Sequence, residues 1–201
     1  MIEEGKINWP VPEEFPLLRH QEIHLWCAWL GRPDAPDATG ESSLSADENI
    51  RAGSFYFAPD RHRFVAARRN LRGVLAGYLG RDPATLVFSY GRFGKPQLIQ
   101  PAGTTDSLDP AASHLAFNQS HCGSLWLLAV AWNQPVGVDL EELKDLPDLA
   151  LVARRIFSQE ELLHQQSLSL AERQLAFFHR WTLREATAKF QGLGFDPTVL
   201  A

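Results

Sequence analysis

Eight consecutive apolar residues, Leu125-Trp126-Leu127-Leu128-Ala129-Val130-Ala131-Trp132, make the longest uninterrupted apolar run in this 201-residue chain. The run has the length of a strand and falls far short of the roughly 20 residues that a membrane span requires. Asn133-Gln134-Pro135 forms a turn at its end. Pro135 lacks an N–H and stops the ladder, after which Val136-Gly137-Val138 is expected to resume extended structure. Asp139, Leu140 and Glu141 come next. On a strand, side chains alternate between faces, so Asp139 and Glu141 point one way while Val138 and Leu140 point into the core. Two carboxylates side by side repel each other, and full burial pushes a carboxyl pKa upward. A divalent cation relieves this conflict, because Mg²⁺ is a hard ion that takes one or two carboxylates together with substrate phosphates.

Further on, Trp181-Thr182-Leu183-Arg184-Glu185-Ala186-Thr187-Ala188-Lys189 reads as a helix. Trp181, Glu185 and Lys189 stand at i, i+4 and i+8, along one face. A carboxylate and an ammonium on one stripe, beside a strand offering Asp139 and Glu141, can hold a metal-bound phosphate from two sides. The plainer interpretation makes Asp139 and Glu141 a solvated strand end and Glu185–Lys189 a surface ion pair, since isolated patterns of either kind are common.

Ahead of the apolar run, Glu22 to Leu30 reads as a first strand and Leu115 to His121 as the strand that Gly123 turns into the run. Leu86 to Tyr90 and Gln97 to Ile99 form a hairpin about Gly91-Arg92-Phe93-Gly94-Lys95-Pro96. Ser45-Ala46-Asp47-Glu48 has the form of a capping box, in which hydroxyl and carboxylate satisfy the free amides of a helix start. From Pro59-Asp60 a longer helix carries Phe64, Ala67, Leu71, Val74, Leu75 and Tyr78 at spacings of three and four, and Gly80 ends it. After an acidic linker come a helix over Leu149 to Ile156, a second capping box at Ser158-Gln159-Glu160-Glu161 and a long helix ending near Gly192. Leu175, Phe178, Trp181 and Leu183 of that helix are expected in the core. Capping box, short helix, loop, long helix and terminal glycine thus occur twice. Met1 to Gln21 is an irregular lead-in, and Gly31 to Gly40 and Gln100 to Ser113 are loops.

Charge is unevenly spread. Arg51, Arg61, His62, Arg63, Arg68, Arg69 and Arg72 face a single acid after Arg51, Asp60. This is either a solvated helix face or a seat for a polyanion, because guanidinium groups match phosphate oxygens bidentately. The chain as a whole carries a net charge of −5, which argues against general nucleic-acid binding. Its apolar fraction of 45% and charged fraction of 21% are those of a globular protein of one large domain or two small ones. Cys27 and Cys122 form no CxxC motif, which suits a reducing cytosol, and Glu3-Glu4 stands where a secretory signal would be basic. A cytoplasmic monomer that meets neither nucleic acid nor membrane is therefore expected. Gly94-Lys95-Pro96 lacks the Ser or Thr of a nucleotide phosphate loop. Neighbouring side chains on a strand point apart, so Ser120-His121 is no nucleophile–base pair.

In order along the chain, Leu44-Ser45 to Arg72, Gly94-Lys95-Pro96, Phe117-Asn118-Gln119-Ser120-His121, G-V-D-x-E and W-T-x-[KR]-E-A-x-x-K resemble the 4′-phosphopantetheinyl transferase superfamily in its Sfp-type branch, over residues 44–195. The resemblance implies an α+β fold of two pseudo-symmetric halves, each a long helix packed on a small antiparallel sheet, with the site at their interface. Residues 1–133 would supply the coenzyme-phosphate-binding helices and sheet. Residues 134–201 would supply the metal-binding strand and helix, in a half that ends earlier than is common in the family. The implied reaction moves 4′-phosphopantetheine from coenzyme A to a serine of an acyl or peptidyl carrier protein, releasing 3′,5′-ADP.

The resemblance also implies roles for single residues. Asp139, Glu141 and Glu185 would hold Mg²⁺, and Glu185, Lys189 and Asp139 would carry catalysis. Arg51 and Arg63 match residues on the 3′-phosphate of coenzyme A, Lys95, Ser120 and His121 match other coenzyme contacts, and Lys189 would face the pyrophosphate. Two positions depart from the family pattern: Glu48 stands where a lysine is frequent, and Arg184 replaces the usual lysine. They favour an alternative, a coenzyme- or carrier-protein-binding module that has lost transfer. A further alternative is an Mg²⁺-dependent phosphohydrolase, for which the D-x-E pattern alone would suffice.

Overall fold

The apolar run is the middle strand of the sheet that organises the fold. It forms β5 (Leu125–Trp132), flanked antiparallel by β1 (Ile23–Trp29) on one edge and β4 (Leu115–Cys122) on the other. The computed structural model describes residues 9–31, 43–99, 114–146 and 149–192. Part of the lead-in, most of the loop expected at 31–40, the loop at 100–113 and the stretch after Gly192 lie outside the described residues. The unbroken apolar string is explained by burial on both faces. Trp126, Leu128 and Val130 face one layer, and Ala129 and Ala131 the other. Register extends the division to β4: Phe117 pairs with Val130 on the large-residue face, and Asn118 pairs with Ala129 on the alanine face, which Ser120 shares.

Helix α2 (Ala58–Leu79) covers the large-residue face after the short helix α1 (Ala46–Gly53). Its Leu71 and Leu75 are wholly buried against Leu128 and Val130, each worth about 1.5–3 kcal/mol of apolar burial. Hairpin strands β2 (Val87–Tyr90) and β3 (Pro96–Ile99) close the end of this core through Leu86 and Leu98, with β3 alongside β4. Glu48 has two tasks. It completes the capping box with Ser45, and its Oε2 accepts from Arg72 Nε at 2.8 Å in a buried pair that joins α1 to α2. Arg72 Nη1 also donates to the carbonyls of Pro83 and Leu86, so its charge is fully engaged.

The second half contains α3 (Leu149–Ile156), α4 (Gln159–Gln166) and α5 (Leu170–Gln191). Ala153, Ile156, Phe157, Phe177 and Phe178 form its separate core, with Trp181 packed against it. Leu175 and Leu183, expected inside, are more than half exposed, because the inward stripe of α5 runs through Phe177, Phe178 and Trp181. Two pairs of helices match in length, and the longer pair in closing glycine, although α5 opens on a capping box of its own at Ser169 and α2 has no side-chain cap. α1 and α4 each have 8 residues and a serine-led capping box, α2 and α5 each have 22, and Gly80 and Gly192 close them at φ 61° and 71°. The match does not extend to the sheets: among the described residues the second half has no strand, so two matched sheet-bearing halves are not seen.

The acidic segment corrects a further expectation. Val136 to Glu141 is not a strand. Both edges of β5 are already occupied by β1 and β4, so the chain cannot fold back to pair with β5. It crosses the alanine face, where Val136 is buried against Ala129 and Ala131 with Val138 packed beside them. The Val138 N–H donates to Asn118 Oδ1 at 2.8 Å, a side chain standing in for a strand partner. No helix among the described residues is long and apolar enough to cross a membrane.

Candidate active site

Gly137 sets the separation between the acidic segment and α5. A Cβ there would lie 2.5 Å from the Phe190 amide nitrogen and closer still to the Ala186 carbonyl oxygen, so only glycine lets the segment rest on the helix backbone. Asp139 and Glu141 then meet side chains of α5. Asp139 Oδ1 accepts from Lys189 Nζ at 2.5 Å and from Ser120 Oγ at 2.9 Å, and Lys189 Nζ lies 3.0 Å from Ser120 Oγ. Glu141 Oε1 accepts from Trp181 Nε1 at 2.8 Å. Glu185 lies one turn before Lys189. Burial pushes its carboxyl pKa up, the nearby charge of Asp139 adds to this, Lys189 opposes it and Glu141 contributes a further rise.

These four charged residues line a cleft of about 560 Å³, together with Ser120, His121, Lys95, Arg51, Arg68 and Tyr90. Among the described residues no three His, Cys, Asp or Glu side chains are grouped as a ready metal cage. The donor chemistry nonetheless fits a hard cation completed by phosphate oxygens. Asp139 is 4% exposed at its side chain, and its Oδ2 is buried without a hydrogen-bond partner. The repulsion that raises Glu185 is of the kind a bound cation removes.

The profile described as 4′-phosphopantetheinyl transferase superfamily matches residues 135–199, which span the acidic segment and α5. The 4′-phosphopantetheinyl transferase HetI of Nostoc is 40% identical over 92% of this chain and 74% of its own length. The chain belongs to the 4′-phosphopantetheinyl transferase superfamily. A putative 4′-phosphopantetheinyl transferase of Synechocystis is 32% identical over 84% of the chain and 65% of its own length, and Sfp of Bacillus subtilis is 28% identical over 77% and 63%. This superfamily member, an enzyme by class, thus spans between 63% and 74% of the length of these transferases.

Of the residues the superfamily resemblance singled out, Asp139, Glu141, Glu185, Lys189, Ser120, His121, Lys95 and Arg51 all line the cleft. Arg63 does not. It pairs with Asp60 in the first turn of α2, an i, i+3 contact on the helix surface. Arg68, undistinguished among the arginines in sequence, lines the cleft instead. Its guanidinium stacks 5.6 Å from the Phe64 centroid and 5.7 Å from that of Tyr90, and its Nε stands 3.9 Å from Glu48 Oε1. Its side chain is 9% exposed and Nη1 is buried without a partner. Spacing gave no signal for this choice, because Arg63 and Arg68 flank the apolar positions Phe64, Ala67, Leu71, Val74, Leu75 and Tyr78 about equally. The packing of Tyr90 and Glu48 on its side of α2 is what buries Arg68.

The two departures have structural answers. Glu48 is held by Arg72, as described, and does not line the cleft. Arg184 also lies off the cleft, interacting electrostatically with Glu161 and Arg180; burial, then the like charge of Arg180, holds its pKa below the usual range. Lys95 lines the cleft, but its Nζ donates to the carbonyls of Lys189 at 2.5 Å and Val136 at 3.4 Å.

Proposed function

We infer that this chain transfers 4′-phosphopantetheine from coenzyme A to a serine of an acyl or peptidyl carrier protein, with Mg²⁺, releasing 3′,5′-ADP. The observation that carries this reading is Asp139. It is a buried carboxylate with one oxygen on Lys189 and Ser120 and the other without a partner, in a cleft that also presents Glu185 and two arginines. Residues in a cleft of this kind suit phosphoryl transfer, which depends mainly on positioning and charge neutralisation. Arg51 and Arg68 would seat the anionic phosphates of the coenzyme, Arg68 with its unpartnered Nη1. Ser120 and Lys189 would flank the pyrophosphate. Mg²⁺, held by Asp139, Glu185 and Glu141, would neutralise negative charge on the pyrophosphate.

In the transfer step the serine oxygen of the carrier forms a bond to the phosphorus that bears the pantetheine arm. The bond from that phosphorus to 3′,5′-ADP breaks, and the serine proton passes to Glu185. Glu185, when ionised, offers that proton an acceptor within the cleft. Lys189 would place its cation beside the leaving phosphate. Glu48 and Arg184, the grounds for a module without activity, are engaged away from the cleft, so they leave the acids and Lys189 undisturbed. Mass spectrometry of an apo carrier protein incubated with the chain, coenzyme A and Mg²⁺ should show the added mass of phosphopantetheine. Asp139→Ala should abolish it; labelling that survives at unchanged Mg²⁺ would show the metal assignment to be wrong.

A further inference from the structure

Lys95 stands at the base of the β2–β3 turn, whose backbone is tied by Gly91 N–H to the Lys95 carbonyl at 3.0 Å and by Gly94 N–H to the Gly91 carbonyl at 2.9 Å. From this fixed point its half-buried side chain reaches the second half of the molecule. Among the described residues its partners are backbone carbonyls, those of Lys189 and Val136, and no carboxylate pairs with it. The Lys189 carbonyl belongs to the last turn of α5, at the negative end of the helix dipole, and besides Lys95 it accepts the capping Gly192 N–H at 3.3 Å. That of Val136 opens the acidic segment, one residue before the glycine that rests on α5. One ammonium thus ties the hairpin to the two elements that carry the acids of the cleft.

We propose that Lys95 is a positioning residue: it pins the end of α5 and the start of the acidic segment so that Lys189 meets Asp139, acting through backbone carbonyls and not as a coenzyme ligand. The residue whose carbonyl it holds is the one whose ammonium contacts Asp139 and Ser120. Displacing that turn moves Lys189 and, one turn earlier, Glu185. An ammonium has three N–H donors, and two are spent on these carbonyls. Burial pushes the Lys95 pKa down.

The kinetic part of the test rests on the transferase reading, and the exchange part does not. Lys95→Met is expected to lower kcat by about ten- to a hundredfold, the effect of misplacing reacting groups. The coenzyme Kd from calorimetry should weaken by a smaller factor than kcat falls. Hydrogen–deuterium exchange on the ligand-free chain should accelerate over residues 136–141 and 186–192, and Lys95→Arg, which keeps cation and donors, should restore most of the protection. A loss of coenzyme affinity larger than the loss of kcat, or unchanged exchange in both segments, overturns the proposal. Should Lys95→Met not fold, Lys95→Gln takes its place with the same outcomes. If the unsubstituted chain labels no carrier protein, the transferase reading falls, and exchange alone decides whether Lys95 is the pin.

Discussion

Glu185 is a side chain whose ionisation the fold opposes. Its folded pKa lies above the ordinary 4.5, through burial first and the charge of Asp139 second. Such a group binds its proton more tightly when folded. Its contribution to stability is therefore fully present below 4.5 and is lost as pH rises through the raised value. Glu185→Gln, which cannot ionise, is expected to melt above the unsubstituted chain at about pH 8, with the difference closing by about pH 4, while transfer is lost. Thermal scans across pH check this, and a constant difference at every pH would refute it. Arg68 supplies a second expectation at this scale. Its Nη1 is buried without a partner, and a hydrogen bond to a charged group is worth about 1.5–3 kcal/mol. Arg68→Met should weaken coenzyme binding by about tenfold or more, and Arg63→Met, paired with Asp60 outside the cleft, by less than about twofold, both read by calorimetry.

Between elements, the decisive contact is backbone against backbone. Gly137→Ala places a methyl group inside contact distance of the Ala186 carbonyl, and two chains must separate to admit it. Asp139 and Glu141 then move away from Lys189 and Trp181. Since a shift of about 1 Å can slow catalysis about a hundredfold, the variant should keep its helical circular dichroism while carrier labelling falls by roughly that factor. This contact also shows where sequence reading stops. Periodicity and caps made the helices, the hairpin and β5 legible, and the acids and Lys189 could be named from motif spacing. Spacing could not show that β1 and β4 occupy both edges of β5, so the acidic segment was expected as a strand and instead crosses the alanine face. Nor could it show that Asn118 would hold Val138, or that Lys95 would reach α5. Those facts depend on residues distant in sequence. For the arginines periodicity does not separate Arg68 from Arg63, since both flank the apolar stripe of α2; Arg68 is buried because Tyr90 and Glu48 pack on its side of the helix.

Over the whole molecule, the cleft takes Arg51 and Arg68 from the first half and its acids from the second. A ligand bridging them stabilises the folded chain by mass action, about 2.7 kcal/mol at a hundredfold excess over Kd. Coenzyme A with Mg²⁺ should raise the melting temperature accordingly, and Asp139→Ala should erase the part that requires the metal; a shift indifferent to Asp139 would count against a shared site. The Lys189–Asp139 pair gives this expectation an order of events. The resting cleft carries its own counter-ion, tethered by a helix and already seated on the carboxylate. A bare divalent ion must compete with that captive ammonium and gains little foothold, whereas a cation arriving with a pyrophosphate offers Lys189 a new anion in exchange. The free protein should therefore be nearly indifferent to magnesium until the coenzyme is present.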